Sequence, residues 1–183
     1  GGTAGVTATK AITNIQLSSG AGNQAVTVAS NAAATTLGTV TADSLNTAGL
    51  VGSVTATLAN GTAGGASFTG SSTQRSFITG SVGADIITTG SGNDAIYVPA
   101  NSANDLLTGG LGSDTYSTDH TNSGGMVITD AGGAADTLFL SGADSNISGV
   151  NSGATLASIG IEQIVFDEDG HVITVAPGQI GAQ

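Results

Sequence analysis

Four aspartates stand out by their spacing. Asp85, Asp94, Asp105 and Asp114 follow one another at intervals of 9, 11 and 9 residues. Each is followed two places later by a large apolar side chain: Ile87, Ile96, Leu107 and Tyr116. The units Gly80-Ser81-Val82-Gly83-Ala84-Asp85-Ile86-Ile87-Thr88 and Thr89-Gly90-Ser91-Gly92-Asn93-Asp94-Ala95-Ile96-Tyr97 each depart at one position from the nonapeptide G-G-x-G-x-D-x-U-x, where U is large and apolar. Gly109-Gly110-Leu111-Gly112-Ser113-Asp114-Thr115-Tyr116-Ser117 fits it throughout, with Tyr116 at the apolar place. The unit from Ala100 to Thr108 keeps Asp105 and Leu107 but has no glycine, and Val98-Pro99 is inserted before it. Carboxylates at such positions offer hard oxygen ligands. Calcium accepts six to eight oxygens in flexible geometry, whereas magnesium demands a stricter octahedron.

For these residues to cooperate, the chain must coil. Two nonapeptides make one turn of a solenoid, about 18 residues, so alternate loops stack on the same side. With the two inserted residues, Asp105 stacks near Asp85 and Asp114 near Asp94. Two facing carboxylates with nearby backbone carbonyls form an all-oxygen cage. Without a cation the carboxylates repel inside tight loops, so metal binding becomes part of the folding free energy. The apolar residue after each Asp points inward from a short strand.

Composition agrees with a thin core. The 183 residues include 30 Gly, only 2 Pro, no Trp, 2 Tyr and 4 Phe. Such a chain suits stacked coils that each bury a few aliphatic side chains. Charge excludes whole classes of partner. Thirteen acids face two bases, Lys10 and Arg75, for a formal net charge of -11. Phosphate backbones are held by Lys and Arg, so nucleic acid is not a partner, and anionic membrane surfaces are disfavoured. No apolar run is long enough to span a bilayer. There is no Cys, hence no disulfide and no thiolate site. His120 and His171 lack metal-like spacing. No nucleophile elbow, zinc-protease motif or phosphate loop is present, so no enzymatic activity is expected.

The period extends backwards in weaker form. Ser67-Phe68 and Ser76-Phe77 lie 18 and 9 residues before Asp85-Ile86, and residues 62–79 read as coils that have lost the metal ligand. Residues 1–61 form a Thr/Ala/Gly-rich β segment without a clean period, either more solenoid or a looser sheet. Residues 62–118 form the nonapeptide β-roll, and 119–183 a β continuation and cap. In that last part, Asp169-Gly170 between two apolar runs signals a hairpin turn that closes the solenoid. The expected fold is all-β, a right-handed parallel β-roll or β-helix with a C-terminal β-hairpin cap.

Residues 80–117 resemble the hemolysin-type calcium-binding repeats, the RTX family of secreted bacterial proteins. The segment 126–142 resembles the strand-loop-strand that follows such repeats. The resemblance implies calcium ligation by Asp85, Asp94, Asp105 and Asp114 and by the carbonyls of Gly80, Val82, Thr89, Ser91, Gly110 and Gly112. Asp130 and Asp136 are further ligands by the same resemblance. The loop Asn101-Ser102-Ala103 departs from the pattern, which makes the Asp85–Asp105 pair the weaker site. The resemblance further implies type I secretion and folding on calcium outside the cell. The Thr, Ala and Gly richness resembles a surface-layer module that self-associates into an array. The rival expectation is an accessory C-terminal module of a secreted enzyme or toxin.

Overall fold

The computed structural model describes residues 3–7, 14–16, 25–30, 34–59, 64–99, 104–119, 126–130, 132–133, 135–141, 144–146, 150, 159–167 and 172–174. The first strands are β1 (Thr3–Thr7), β2 (Asn14–Gln16), β3 (Ala25–Ser30), β4 (Ala34–Thr41), β5 (Ser44–Leu50) and β6 (Ser53–Ala59). The repeats contribute β7 (Ser67–Thr69), β8 (Ser76–Thr79), β9 (Ile86–Ser91), β10 (Ala95–Val98), β11 (Leu106–Leu111) and β12 (Thr115–Asp119). Then follow β13 (Val127–Thr129), β14 (Thr137–Ser141), β15 (Asp144–Asn146), β16 (Gln163–Phe166) and β17 (Val172–Thr174). No α-helix occurs among the described residues.

The strands form a parallel β-solenoid. Odd-numbered strands β1 to β13 make one seven-stranded sheet, and even-numbered strands β2 to β16 make an eight-stranded sheet. Each strand pairs in parallel with the strand one coil away. The described strands within residues 1–61, whose period is obscure in the sequence, belong to the same two sheets: β5 pairs with β7 and β6 with β8. Residues 62–79 supply β7 and β8, coils without an aspartate ligand.

Alternation along each strand builds the core. In the first sheet Val26, Leu45, Phe68, Ile87, Leu107 and Ile128 are register partners, one above another. In the second sheet Ala56, Ile78, Ile96, Tyr116, Leu138 and Ile164 do the same. All but Ile164 are essentially buried, and Ile164 packs against the cluster. Each large aliphatic rung contributes about 1.5–3 kcal/mol on burial. The apolar residue two places after each Asp is therefore a rung of a ladder.

Among the described residues the two strands that flank Asp169-Gly170 do not pair with each other as the expected hairpin cap requires. The strands flanking Asp169-Gly170 each take a parallel partner one coil back: β16 pairs with β14, and β17 with β15. Ile164 and Phe166 match Leu138 and Leu140 in register, so stacking on the solenoid satisfies β16 better than a local turn. The turn itself, His120, His171, Lys10 and the loop 101–103 lie outside the described residues.

Close stacking requires glycine at several places, of which Gly110 and Gly112 are two. Gly110 and Gly112 have φ of 105° and 137°. A Cβ on them would lie 1.8 Å from the Gly90 carbonyl oxygen and 1.9 Å from that of Gly92. Gly110→Ala is expected to destabilise the protein by about 1–3 kcal/mol from backbone strain alone, with the clash in addition. Gly5→Ala, where nothing lies within 4 Å, should change stability little. Denaturant unfolding of both variants checks this; equal midpoints would refute the stacking argument.

Candidate metal centre

The loops between strands form two columns along the solenoid. One precedes the strands of the first sheet and carries Asp85 and Asp105; the other precedes those of the second sheet and carries Asp94, Asp114 and Asp136. All five aspartates are 0–2% exposed, which in so thin a core calls for a physical account. Part of it is a hydrogen-bond ladder, in which each carboxylate reaches back one coil to a backbone N–H.

In the first column the N–H of Asp85 donates to Asp105 Oδ1 at 2.9 Å, and the N–H of Ala66 donates to Asp85 Oδ1 at 2.8 Å. In the second, the N–H of Ser76 donates to Asp94 Oδ1 at 2.5 Å, that of Asp94 to Asp114 Oδ1 at 2.7 Å, and that of Asp114 to Asp136 Oδ1 at 2.7 Å. The N–H of Asp136 then donates to Glu162 Oε2 at 2.8 Å. The stacking of Asp85 with Asp105 and of Asp94 with Asp114 follows the spacing read from the sequence. The second column also runs on through Asp136 to Glu162, a residue that sequence reasoning missed. Its signal was there: Glu162-Gln163-Ile164 repeats the order acid, any residue, large apolar.

The columns differ in their second oxygens. Asp85 is fully satisfied: Ser81 Oγ donates to Oδ1 at 2.6 Å and the Ser81 N–H donates to Oδ2 at 2.6 Å. By contrast, Oδ2 of Asp94, Asp114 and Asp136 is buried and has no hydrogen-bond partner. Thr89 lies beside Asp94, but its hydroxyl donates to the carbonyls of Gly109 at 3.0 Å and Thr108 at 3.3 Å. Three orphaned carboxylate oxygens on one column call for a physical account, and a site able to hold a cation is one that fits.

One level of this column closes into a cluster. Ligand oxygens of Asp114, Asp130 and Asp136 lie within 4.8 Å of one another, and among the described residues this is the acidic group placed to hold a metal. Asp130, which is half-buried, follows β13. Its Oδ1 accepts the Gly132 N–H at 3.0 Å and its Oδ2 accepts the Tyr116 hydroxyl at 2.6 Å.

The electrostatics agree. Burial pushes the Asp114 carboxyl up to about 7, the Asp94 N–H partly offsets this, and the charges of Asp94, Asp130 and Asp136 raise it further. Burial also raises Asp136, opposed by the Asp114 N–H and reinforced by Asp130 and Glu162. Asp94 is raised by burial against the Ser76 N–H, the Thr89 hydroxyl and the Arg75 charge. Arg75 is the basic residue among those described; its Nε donates to the Asn93 carbonyl at 2.8 Å and its guanidinium lies 4.9 Å from the Phe77 ring centroid. The Tyr116 phenol is pushed up by burial, then by Asp130 and Asp114, and so remains a donor.

Of the expected carbonyl positions, Gly80 and Val82 lie in the loop leading to Asp85 and Gly112 in that leading to Asp114, whereas Thr89 and Ser91 lie at the end of β9 and Gly110 at the end of β11. The donor set at the cluster is oxygen throughout, which suits a hard cation and not a thiophilic one. No protein-family model matches the chain, and no curated protein or solved structure matches it either.

Proposed function

We propose that this protein is a non-catalytic, calcium-binding structural module of a secreted bacterial surface-layer protein, folding and assembling outside the cell when it meets calcium. The observation that carries the reading is the row of buried, unpartnered Oδ2 atoms of Asp94, Asp114 and Asp136, closed by Asp130 at one level. Calcium suits this site because it tolerates irregular oxygen shells, while magnesium gives up its waters reluctantly. The nonapeptide glycines and aspartates support the same cation.

Calorimetric calcium titration tests it. Asp114→Asn or Asp136→Asn is expected to weaken calcium binding at least ~10-fold, because ligand charge sets affinity in such sites. Asp85→Asn, whose parent carboxylate is already satisfied, should weaken it least. Equal losses at all three positions would refute the assignment of the site to the second column.

The surface that serves assembly in this reading is the outer face of the first sheet. Its outward rows are Ala25, Ser44, Ser67, Ile86, Leu106 and Val127, and beside them Thr27, Asn46, Thr69, Thr88, Thr108 and Thr129. Neither row carries a charge, although the chain has a net charge of -11. Ile86 and Leu106 are 53% and 40% exposed. Copies that repel along their acidic columns can meet on this face. Calcium-loaded protein is therefore expected to self-associate with rising concentration, and the double variant Ile86→Lys, Leu106→Lys to lose that association. Sedimentation velocity decides; a calcium-loaded protein that stays monomeric at every concentration would remove self-association from the reading.

A further inference from the structure

Tyr116 occupies the apolar place of its nonapeptide, where the neighbouring rungs are Ile96 and Leu138. Those side chains have no polar atom. Tyr116 is 0% exposed, yet its hydroxyl leaves the apolar ladder for the carboxylate cluster. The Gly109 N–H donates to Tyr116 Oη at 2.8 Å, and the hydroxyl in turn donates to Asp130 Oδ2 at 2.6 Å. A Cβ on Gly109 would lie 2.3 Å from both Tyr116 Oη and Asp114 Oδ2. The phenol oxygen and the orphaned carboxylate oxygen therefore share the crevice over Gly109.

Asp130 is the one member of the cluster that is not buried. A half-exposed carboxylate is free to turn toward water unless something holds it. Gly132 holds Oδ1 from within its own loop, and Tyr116 holds Oδ2 from the core. We propose that Tyr116 is a positioning residue for the cation site: it fixes the Asp130 carboxylate toward Asp114 and Asp136 and thereby sets the affinity of this level of the column. The inference rests on the metal-binding reading above. Groups that orient a ligand in this way are worth about 10–100-fold in metal affinity. The core rung and the cation site are thus mechanically joined through one side chain.

The chain has two Tyr and no Trp, so the test is clean. Tyr97, 37% exposed on the second sheet, is the internal control. Calcium titrations should show Tyr116→Phe weakened about 10–100-fold and Tyr97→Phe unchanged. Asp130→Asn keeps an acceptor for Tyr116 but removes the charge, and it should weaken binding by itself. The double variant Tyr116→Phe, Asp130→Asn should then lose less than the two single losses added together, the sign of two residues that are coupled. Terbium, used as a luminescent probe of the same site, should emit under tyrosine excitation in the wild type and in Tyr97→Phe but not in Tyr116→Phe. Tyr116→Phe binding calcium as tightly as wild type would overturn the proposal. If that variant does not fold, Asp130→Asn decides, and unchanged affinity there overturns it. A wild-type protein that binds no calcium is a different result, because it defeats the metal-binding reading itself.

Discussion

In excess chelator at neutral pH the protein is expected to lose most of its β-sheet signal, and to regain it when calcium is added. The second column holds three buried carboxylates whose second oxygens have no partner. An unpaired buried charge costs several kcal/mol even after relaxation. A domain's whole net stability is about 5–15 kcal/mol. Keeping such carboxylates ionised at neutral pH therefore offsets a large part of what the thin apolar ladders supply. A divalent cation removes that penalty and adds its own binding energy, by an amount that grows with its concentration. Far-UV circular dichroism with chelator and then with calcium measures the change. Magnesium at equal concentration should restore much less. Superimposable folded spectra with and without calcium would show that the carboxylate ladder stands without a cation.

The parts of this site that are legible in the sequence are those in which coil length is constant. Asp94 and Asp114 stack because the insertion before Asp105 lengthens one coil by two residues and leaves the order of loops intact. The following coils are longer: Thr115 pairs with Thr137 and Thr137 with Gln163, offsets of 22 and 26 residues. A fixed period therefore loses Asp136 and Glu162, although the local order of acid and apolar residue persists. The same reason hides the coils of residues 1–61. There Thr3 pairs with Ala25, Ala25 with Ser44 and Ser44 with Ser67, offsets of 22, 19 and 23 residues. Register shifts near Thr27 and Thr36 blur the alternation further. Strand pairing tolerates such variation because the extra residues fall between the strands in sequence.

Two features depend on contacts that local sequence does not reveal. Ser81 replaces the second glycine of its nonapeptide, and its hydroxyl satisfies Asp85. A near-perfect copy of the repeat is thereby the one least in need of a cation. Tyr116 reads as a core residue and is one, but its hydroxyl reaches Asp130, fourteen residues on. Likewise, Asp169-Gly170 is a sound local turn signal, and the stacking of Ile164 and Phe166 on the preceding coil overrides hairpin pairing.

Acid should stabilise the calcium-free protein and destabilise the calcium-loaded one. The Asp114 carboxyl is raised from 3.8 to about 7 by burial and by its acidic neighbours, and Asp94 and Asp136 are raised as well. A raised carboxyl holds its proton in the folded state at a pH where the unfolded chain has lost it. Stability therefore falls as pH rises wherever the folded state binds more protons. For Asp114 that window runs from 3.8 to about 7. Protein in chelator should accordingly regain β-structure and melt at higher temperature as the pH is lowered from 7 toward 5. For a chain of this size each kcal/mol of such linkage shifts Tm by about 2–4 °C. With calcium bound the sign reverses, because protons compete with the cation for the same oxygens. Lowering the pH also reduces the general repulsion of a chain with net charge -11, so a control is needed. Asp114→Asn removes the titrating group and should flatten the chelator curve while leaving general repulsion nearly unchanged. Thermal melts of wild type and Asp114→Asn across this range, with chelator and with calcium, give four curves. Wild-type curves that fall together on acidification, with and without calcium, would mean that the buried carboxylates of the column are not what opposes folding.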